Sequence, residues 1–166
     1  MSASATILDR AAIEARLPHR APFLFLDRVV GLEAGAPSPR LTAEWRVPPE
    51  SDFFRGHFPG NPVTPGVILC EHAFQAAAVL LCELGQRFGA TRDVPLLARI
   101  EKAKFRRIVR PGETLVTTAT LVENVARAAY LEAKAAVDGE TALEVRCVLS
   151  RGPRPEGDGA AEGARA

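Results

Sequence analysis

At 166 residues and 47% hydrophobic content, the chain is one domain by length, with a real but modest core. Its 21 lysines and arginines stand against 20 aspartates and glutamates, a net charge of +1, which gives no global reason for a nucleic-acid or anionic-membrane partner. The opening Met1-Ser-Ala-Ser-Ala-Thr has no basic segment leading into an apolar run, so it does not read as a secretory signal, and a cytoplasmic location is expected.

Taken in order, Asp9 to Arg16 reads as a short helix capped by Asp9, with Ile13 and Leu17 as apolar contacts and Pro18 as its stop. Pro22 to Leu32 is rich in β-branched and aromatic residues and reads as a strand, followed by a loop from Gly35 to Pro39. Leu41 to Val47 alternates strictly. Leu41, Ala43, Trp45 and Val47 share one face and Thr42, Glu44 and Arg46 the other, as in a half-buried strand.

Gly56 to Leu84, GHFPGNPVTPGVILCEHAFQAAAVLLCEL, joins a proline-rich loop to a long apolar helix. Thr64-Pro65-Gly66 reads as the helix start, with Thr64 as cap and proline in the first turn, and Gly85 or Gly89 as the stop. Apolar residues reach round every face, so the helix is expected to be buried on all sides. A membrane span is the competing reading. Glu71, His72, Gln75 and Glu83 interrupt a segment already short for about 30 Å of hydrocarbon, which argues against it.

Beyond the helix, Thr91 to Pro95 reads as a connection and Leu96 to Val109 as a long, bulged strand with Lys102, Lys104, Arg106 and Arg107 pointing outward. Pro111-Gly112 turns the chain. Thr114 to Glu123, Ala129 to Val137 and Thr141 to Ser150 read as strands, the last two joined by an Asp138-Gly139 hairpin. The expectation is an α+β domain over residues 1–150, with an antiparallel sheet of about six strands curled round the long helix. Residues 151–166 are glycine, alanine, proline and charge, and read as a disordered tail.

Chemistry concentrates in the central stretch. Glu71 and Gln75 lie four apart and share one face of an otherwise apolar helix. Burial would raise the pKa of Glu71, as suits a proton donor at neutral pH. His57, boxed by Gly56, Phe58, Pro59, Gly60 and Pro62, is the candidate base. The free N–H groups around Gly66 and Val67 can hold a carbonyl oxygen as it gains charge. His19 is expected to make structural hydrogen bonds, while for His72 core, interface and tunnel lining stay open. Cys70, Cys82 and Cys147 form no C-x-x-C pair and read as reduced, small hydrophobes. Cys70-Glu71-His72 cannot converge on a metal, because consecutive helical residues diverge by about 100°. No metal site is expected.

LPHRAPFLFLDRVV (17–30), FFRGHFPGNPVTPGVILCE (53–71), FQAA (74–77) and KAKFRRIVRPGETL (102–115) resemble, in order, the signature blocks of the FabZ-type 3-hydroxyacyl-acyl-carrier-protein dehydratases. The resemblance implies a hot-dog fold and a homodimer with two interfacial sites, which can assemble as a trimer of dimers. It also implies that His57 of one subunit faces Glu71 of the other, that Gly66 N–H holds the thioester carbonyl, and that Gln75 supports the site. Phe58, Val67 and Leu96 are the further substrate-binding candidates, and no cofactor is needed. The partner implied is an acyl-carrier protein, with Arg55, Lys102, Lys104, Arg106 and Arg107 as docking candidates beside the plainer reading of a solvated strand face. Three residues depart from the family pattern: Thr64 replaces a common methionine, His72 a usual alanine, and Leu96 an aromatic that gates the acyl tunnel. A hot-dog thioesterase and a non-catalytic, carrier-binding partner subunit are the alternative readings.

Overall fold

The computed structural model describes residues 5–85 and 93–153. Helix α1 (Arg10–Glu14) is followed by β1 (Arg28–Glu33), β2 (Arg40–Arg46), a short 3-10 turn (Asp52–Arg55) and the central helix α2 (Gly66–Glu83). Strands β3 (Asp93–Phe105), β4 (Thr114–Val125), β5 (Ala128–Val137) and β6 (Glu140–Pro153) complete the chain. The six strands form one sheet in the order β1-β2-β4-β5-β6-β3, every pairing antiparallel. The expected order of elements is the observed one.

The period-two pattern decides which face of the sheet meets the helix. Leu41, Ala43 and Trp45 on β2 with Val47 just beyond it, and Ala129, Leu131, Ala133, Ala135 and Val137 on β5, are all buried. Helix α2 lies across β2, β4, β5 and β6. Small residues on both surfaces, Ala76 to Ala78 on the helix and Ala119, Ala133 and Ala135 on the sheet, are buried in the core between them. From Leu69 to Leu81 the helix is buried at every position except Glu71, whereas Val67 in its first turn is 75% exposed. By length and composition Gly66–Glu83 could cross a membrane, with a mean hydropathy of 1.4, but here the sheet covers it. The hairpin at Asp138-Gly139 has both residues at positive φ, 50° and 82°, as a type I′ turn requires.

Several boundaries differ from expectation for physical reasons. Asp9 does cap α1, its carboxylate accepting from Ala12 N–H at 2.8 Å. Thr64 does not cap α2. Pro65 occupies that position, no side chain bonds the first turn, and the buried Thr64 hydroxyl has no partner. Gly85, at φ +86°, provides the left-handed stop, while Gly89 lies outside the described residues.

Residues 22–27 are not strand, because their backbone groups are satisfied elsewhere. Phe25 N–H donates to Gln75 Oε1 at 2.8 Å, Phe25 O accepts from His72 Nδ1 at 2.6 Å, and Phe23 O accepts from Gln75 Nε2 at 3.1 Å. Arg10 takes up Leu26 O at 2.8 Å and Leu24 O at 3.4 Å.

Strand β3 starts at Asp93, inside the expected connection, carries register shifts at Leu97/Arg99 and Ile100/Lys102, and ends at Phe105 rather than Val109. Residue Thr91 lies outside the described residues. The 106–110 segment turns away to hold the histidine loop. Strand β6 runs three residues past Ser150, since Arg151, Gly152 and Pro153 pair with Pro95, Val94 and Asp93, so the expected tail boundary at 150 is too early. Residues 154–166 of that tail lie outside the described residues.

Candidate active site

The loop before α2 is built to present one imidazole. His57 N–H donates to Phe53 O at 2.9 Å and Val63 N–H to His57 O at 2.9 Å, while Phe58 and Asn61 exchange backbone bonds at 3.2 and 3.0 Å. Gly60, at φ +74°, makes the tight return between them. The loop is tied to the segment after β3, because Thr64 N–H donates to Val109 O at 2.8 Å and Arg110 Nη1 to Asn61 Oδ1 at 3.1 Å. Within this frame His57 Nδ1 lies 2.9 Å from Val63 O. A carbonyl only accepts, so Nδ1 carries a proton and in the neutral ring the lone pair lies on Nε2. The Phe58 ring stacks on the imidazole with centroids 4.1 Å apart.

Glu71 sits one turn into α2, its side chain 23% exposed rather than fully buried. Its orientation is set by Gln75. The Gln75 oxygen is committed to Phe25 N–H, so Nε2 must face the carboxyl, and it donates to Glu71 Oε1 at 2.9 Å. This leaves Oε2 outside that hydrogen bond.

The helix start provides the third component. Helical bonding begins with Ile68 N–H and Leu69 N–H to Pro65 O, at 3.0 and 3.2 Å, so the N–H groups of Gly66 and Val67 precede it. A Cβ at position 66 would lie 2.8 Å from Phe105 Cε1, so a side chain there would have to displace that exposed ring. Phe58, Phe105 and Val67 are all exposed and give this end of the helix an apolar rim.

Expectation and structure part company at several residues. Glu71 and Gln75 are brought together. His57 has Val63 and Phe58 as its partners and Glu71 has Gln75 and His19, so within one chain the two proposed proton-transfer groups do not touch among the described residues. Leu96 packs over Gly152 at the far end of β3 from Phe105. Nine residues of strand separate them, about 30 Å, so one chain does not bring Leu96 to Gly66.

The basic run is not uniformly outward. Lys102 and Lys104 are exposed and line a groove of about 470 Å³ on the outer sheet face with Thr118, Glu132 and Lys134. Arg106 pairs with Glu144 at 2.8 Å, and Arg107 is half-buried between Glu113 at 2.7 Å and Glu140 at 3.0 Å. Arg55 is exposed beside Asp52.

His72 proves to be core. It is fully buried, stacked on Trp45, and bonded at both nitrogens; burial pushes its pKa down to about 4, against the bond to Phe25 O, which raises it. With both nitrogens occupied it does not join Cys70 and Glu71 as a ligand set, and among the described residues no three His, Cys, Asp or Glu side chains gather where a metal ion could be held. Buried Cys70 and Cys147 have raised pKa values, the latter about 12, and Cys82 Sγ donates to Arg16 O at 3.6 Å.

Among the described residues the His19 ring makes no structural hydrogen bond, contrary to expectation. Its Nε2 lies 3.6 Å from Glu71 Oε1, and its buried Nδ1 has no partner. The contact joins distant positions, and no local pattern signals it.

The FabA-like domain family matches residues 17–146. A relative from Oenococcus oeni named 3-hydroxyacyl-[acyl-carrier-protein] dehydratase FabZ is 43% identical over 130 residues, covering 78% of this chain and 89% of the relative. One of the same name from an Anaeromyxobacter species is 41% identical over 143 residues, covering 86% and 89%. Among solved structures, the dehydratase heterocomplex ApeI:P from Xenorhabdus doucetiae superposes with a TM-score of 0.68 at 16% identity, covering 84% of this chain and 90% of that one. The E. coli PaaI protein from the phenylacetic acid degradation operon gives 0.56 at 16% identity, covering 74% and 81%. At such identities the likeness is one of fold, the hot-dog arrangement of a sheet wrapped round a central helix.

Proposed function

This chain belongs to the FabA-like family and, within it, to the FabZ-type 3-hydroxyacyl-acyl-carrier-protein dehydratases, and from that premise we propose that it eliminates water from 3-hydroxyacyl thioesters borne on acyl-carrier protein. The product is a trans-2-enoyl thioester for fatty-acid or related acyl-chain synthesis, and the reaction runs in the cytoplasm.

In this reading His57 Nε2 removes the proton from C2, and the charge that develops on the thioester oxygen is held by the N–H groups of Gly66 and Val67. The electron pair forms the C2–C3 double bond. The C3–O bond breaks, and the hydroxyl leaves as water with the proton from Glu71 Oε2. Phe58 and Val67 line the acyl entrance. What supports the reading above all is that both proton-transfer groups are held by partners that leave one reactive atom free. His57 is fixed through Nδ1 by Val63 O, and Glu71 through Oε1 by Gln75.

We further propose that the site is completed by a second copy. Strand β3 is an edge of the sheet, thirteen residues long, with exposed Leu96, Ile100 and Phe105, the kind of edge that seeks a partner strand. Antiparallel pairing of two β3 edges would bring the partner's Leu96 end beside Phe105 and Gly66 and set His57 of one subunit against Glu71 of the other. A trimer of such dimers is the larger assembly. Arg55, Lys102 and Lys104 are the docking residues for the acidic carrier; the ion pairs of Arg106 and Arg107 give those two a weaker claim.

The test is hydration of a short trans-2-enoyl thioester, followed by loss of ultraviolet absorbance, in wild type, His57→Ala and Glu71→Gln. Activity in wild type and its near-complete loss in both folded variants is the expected result. An inactive wild type that releases free thiol would mean a thioesterase instead.

A further inference from the structure

We propose that His19 is a positioning residue for Glu71, its Nε2–H facing Oε1 so as to stabilise the carboxylate that Glu71 becomes when it gives up its proton. The proposal rests on the dehydratase reading and adds to it a residue outside the base, the acid and the carbonyl-binding N–H groups.

Three observations carry it. The first is placement. His19 lies in the turn between α1 and the 22–27 segment, and Arg20 staples that turn by donating to Leu17 O at 2.9 Å and His19 O at 2.7 Å. The same segment is fastened to α2 through Phe23, Phe25 and Gln75, so the imidazole and the carboxyl are held by one frame.

The second is the tautomer. Nδ1 is buried with no partner, and a stranded N–H there would be a desolvated donor, whereas a stranded lone pair costs less. The proton therefore sits on Nε2, pointing at Glu71. Burial also holds the ring below its ordinary pKa against the opposing charge of Glu71, with Arg20 lowering it further, so the neutral donor form is the working one.

The third is the distance. At 3.6 Å the contact is too long for a hydrogen bond to a neutral carboxylic acid. Little is therefore spent on the protonated ground state, and the attraction grows only as Glu71 loses its proton and becomes charged. An interaction stronger after proton transfer than before it lowers the barrier rather than tightening substrate binding.

The experiment compares His19→Phe, which keeps the ring shape without an N–H, with His19→Gln, which keeps an N–H near the Nε2 position. Wild type and Glu71→Gln run alongside in the enoyl-thioester assay, and thermal melts check folding. His19→Phe is expected to lower kcat about 10-fold or more, the scale of one hydrogen bond to a charged group, with KM within about 2-fold. His19→Gln should stay within about 3-fold of wild type. Equal losses in both, no loss in either, or a loss carried by KM alone would overturn the assignment. If His19→Phe does not fold, His19→Asn, whose N–H falls at the Nδ1 position, replaces it and is expected to lose what His19→Gln keeps. An inactive wild type would sink the dehydratase reading itself, whereas an active wild type with an indifferent His19 would sink only this one.

Discussion

The Thr117 hydroxyl lies 2.6 Å from His72 Nε2, with both residues completely buried and Thr117 on the inward face of β4 between Leu115 and Ala119. Because Phe25 O must accept from Nδ1, Nε2 can only accept, so Thr117 donates and His72 is held as one neutral tautomer. A histidine at this position thus ties helix, sheet and the 22–27 segment together without a charge.

This tie makes stability depend on pH in a defined window. The folded pKa of His72, about 4, lies below its unfolded value near 6.5, so between them the unfolded chain binds a proton that the folded chain does not. The contribution is fully present above 6.5, falls as the pH drops toward 4 and then levels, a loss of about 3 kcal/mol at most. Urea midpoints at pH 7.5, 5.5 and 4.5 would show it. His72→Asn, which keeps an N–H near the Nδ1 position and cannot titrate, should have a flatter profile across that window. Glu113, held below the usual carboxylate range by Arg107, loses its contribution only at lower pH, as the acidity reaches its ordinary value and below, so the two effects separate.

Gly66→Ala tests whether the helix start needs glycine for space. The new methyl would lie 2.8 Å from Phe105 Cε1 and 3.0 Å from Cζ, but that ring is half exposed and can swing away. Stability should therefore change by no more than about 1 kcal/mol, a few degrees in Tm for a domain of this size. Activity should fall at least about 10-fold, because the displaced ring and the methyl crowd the N–H groups proposed to hold the thioester oxygen. Partial recovery in Gly66→Ala with Phe105→Ala would separate crowding from loss of the N–H geometry.

How much of this was legible depended on where each residue's partners lie. Strands β2 and β5 could be read because burial of one sheet face imprints strict alternation on neighbouring positions. The 22–27 segment has the composition of a strand yet is not one, since its backbone partners include side chains of α2 about fifty residues later and Arg10 of α1. The acid and its amide were legible as an i, i+4 pair on an apolar helix. His19 was not, because its proximity to Glu71 arises only when the turn after α1 is laid against α2. Thr64 looked like a cap by residue type, and Pro65 displaced it by taking the cap position. Arg107 looked solvated because Glu113 and Glu140, which enclose it, come from the following turn and from the start of β6.

Gln75 is expected to be among the most sensitive positions outside the reacting groups. Gln75→Leu preserves bulk but strands the buried Phe25 N–H, frees the half-exposed Phe23 O to water and leaves Glu71 Oε1 without its donor. One buried orphaned backbone group predicts a loss of about 2 kcal/mol, read as a lowered urea midpoint with unchanged slope. Gln75→Glu should be worse for catalysis than for stability. It still accepts from Phe25 N–H but sets a second carboxylate against Glu71, which favours protonation of one of them and disturbs the acid proposed for the leaving hydroxyl.

The division of the basic run into docking and structural residues gives the last prediction. Arg107 donates to both oxygens of Glu113, at 2.7 and 3.0 Å, and to Glu140 at 3.0 Å, with its side chain only 20% exposed. Glu113 also accepts Arg110 N–H at 2.7 Å, and this segment holds the histidine loop through Val109 and Arg110. Lysine cannot reproduce a planar two-pronged donor, so Arg107→Lys keeps the charge and loses the clamp. Its activity should fall by a similar factor on carrier-linked and coenzyme A-linked thioesters, because the damage is to the loop that presents His57. Lys104→Glu changes an exposed charge and touches no part of that clamp. It should raise KM for the carrier-linked substrate, more so at low salt where surface charges are least screened, and leave the coenzyme A substrate within about 2-fold. If Arg107→Lys instead raised KM for the carrier-linked substrate alone, Arg107 would belong to the docking surface and the ion pairs that enclose it would have to open when the carrier binds.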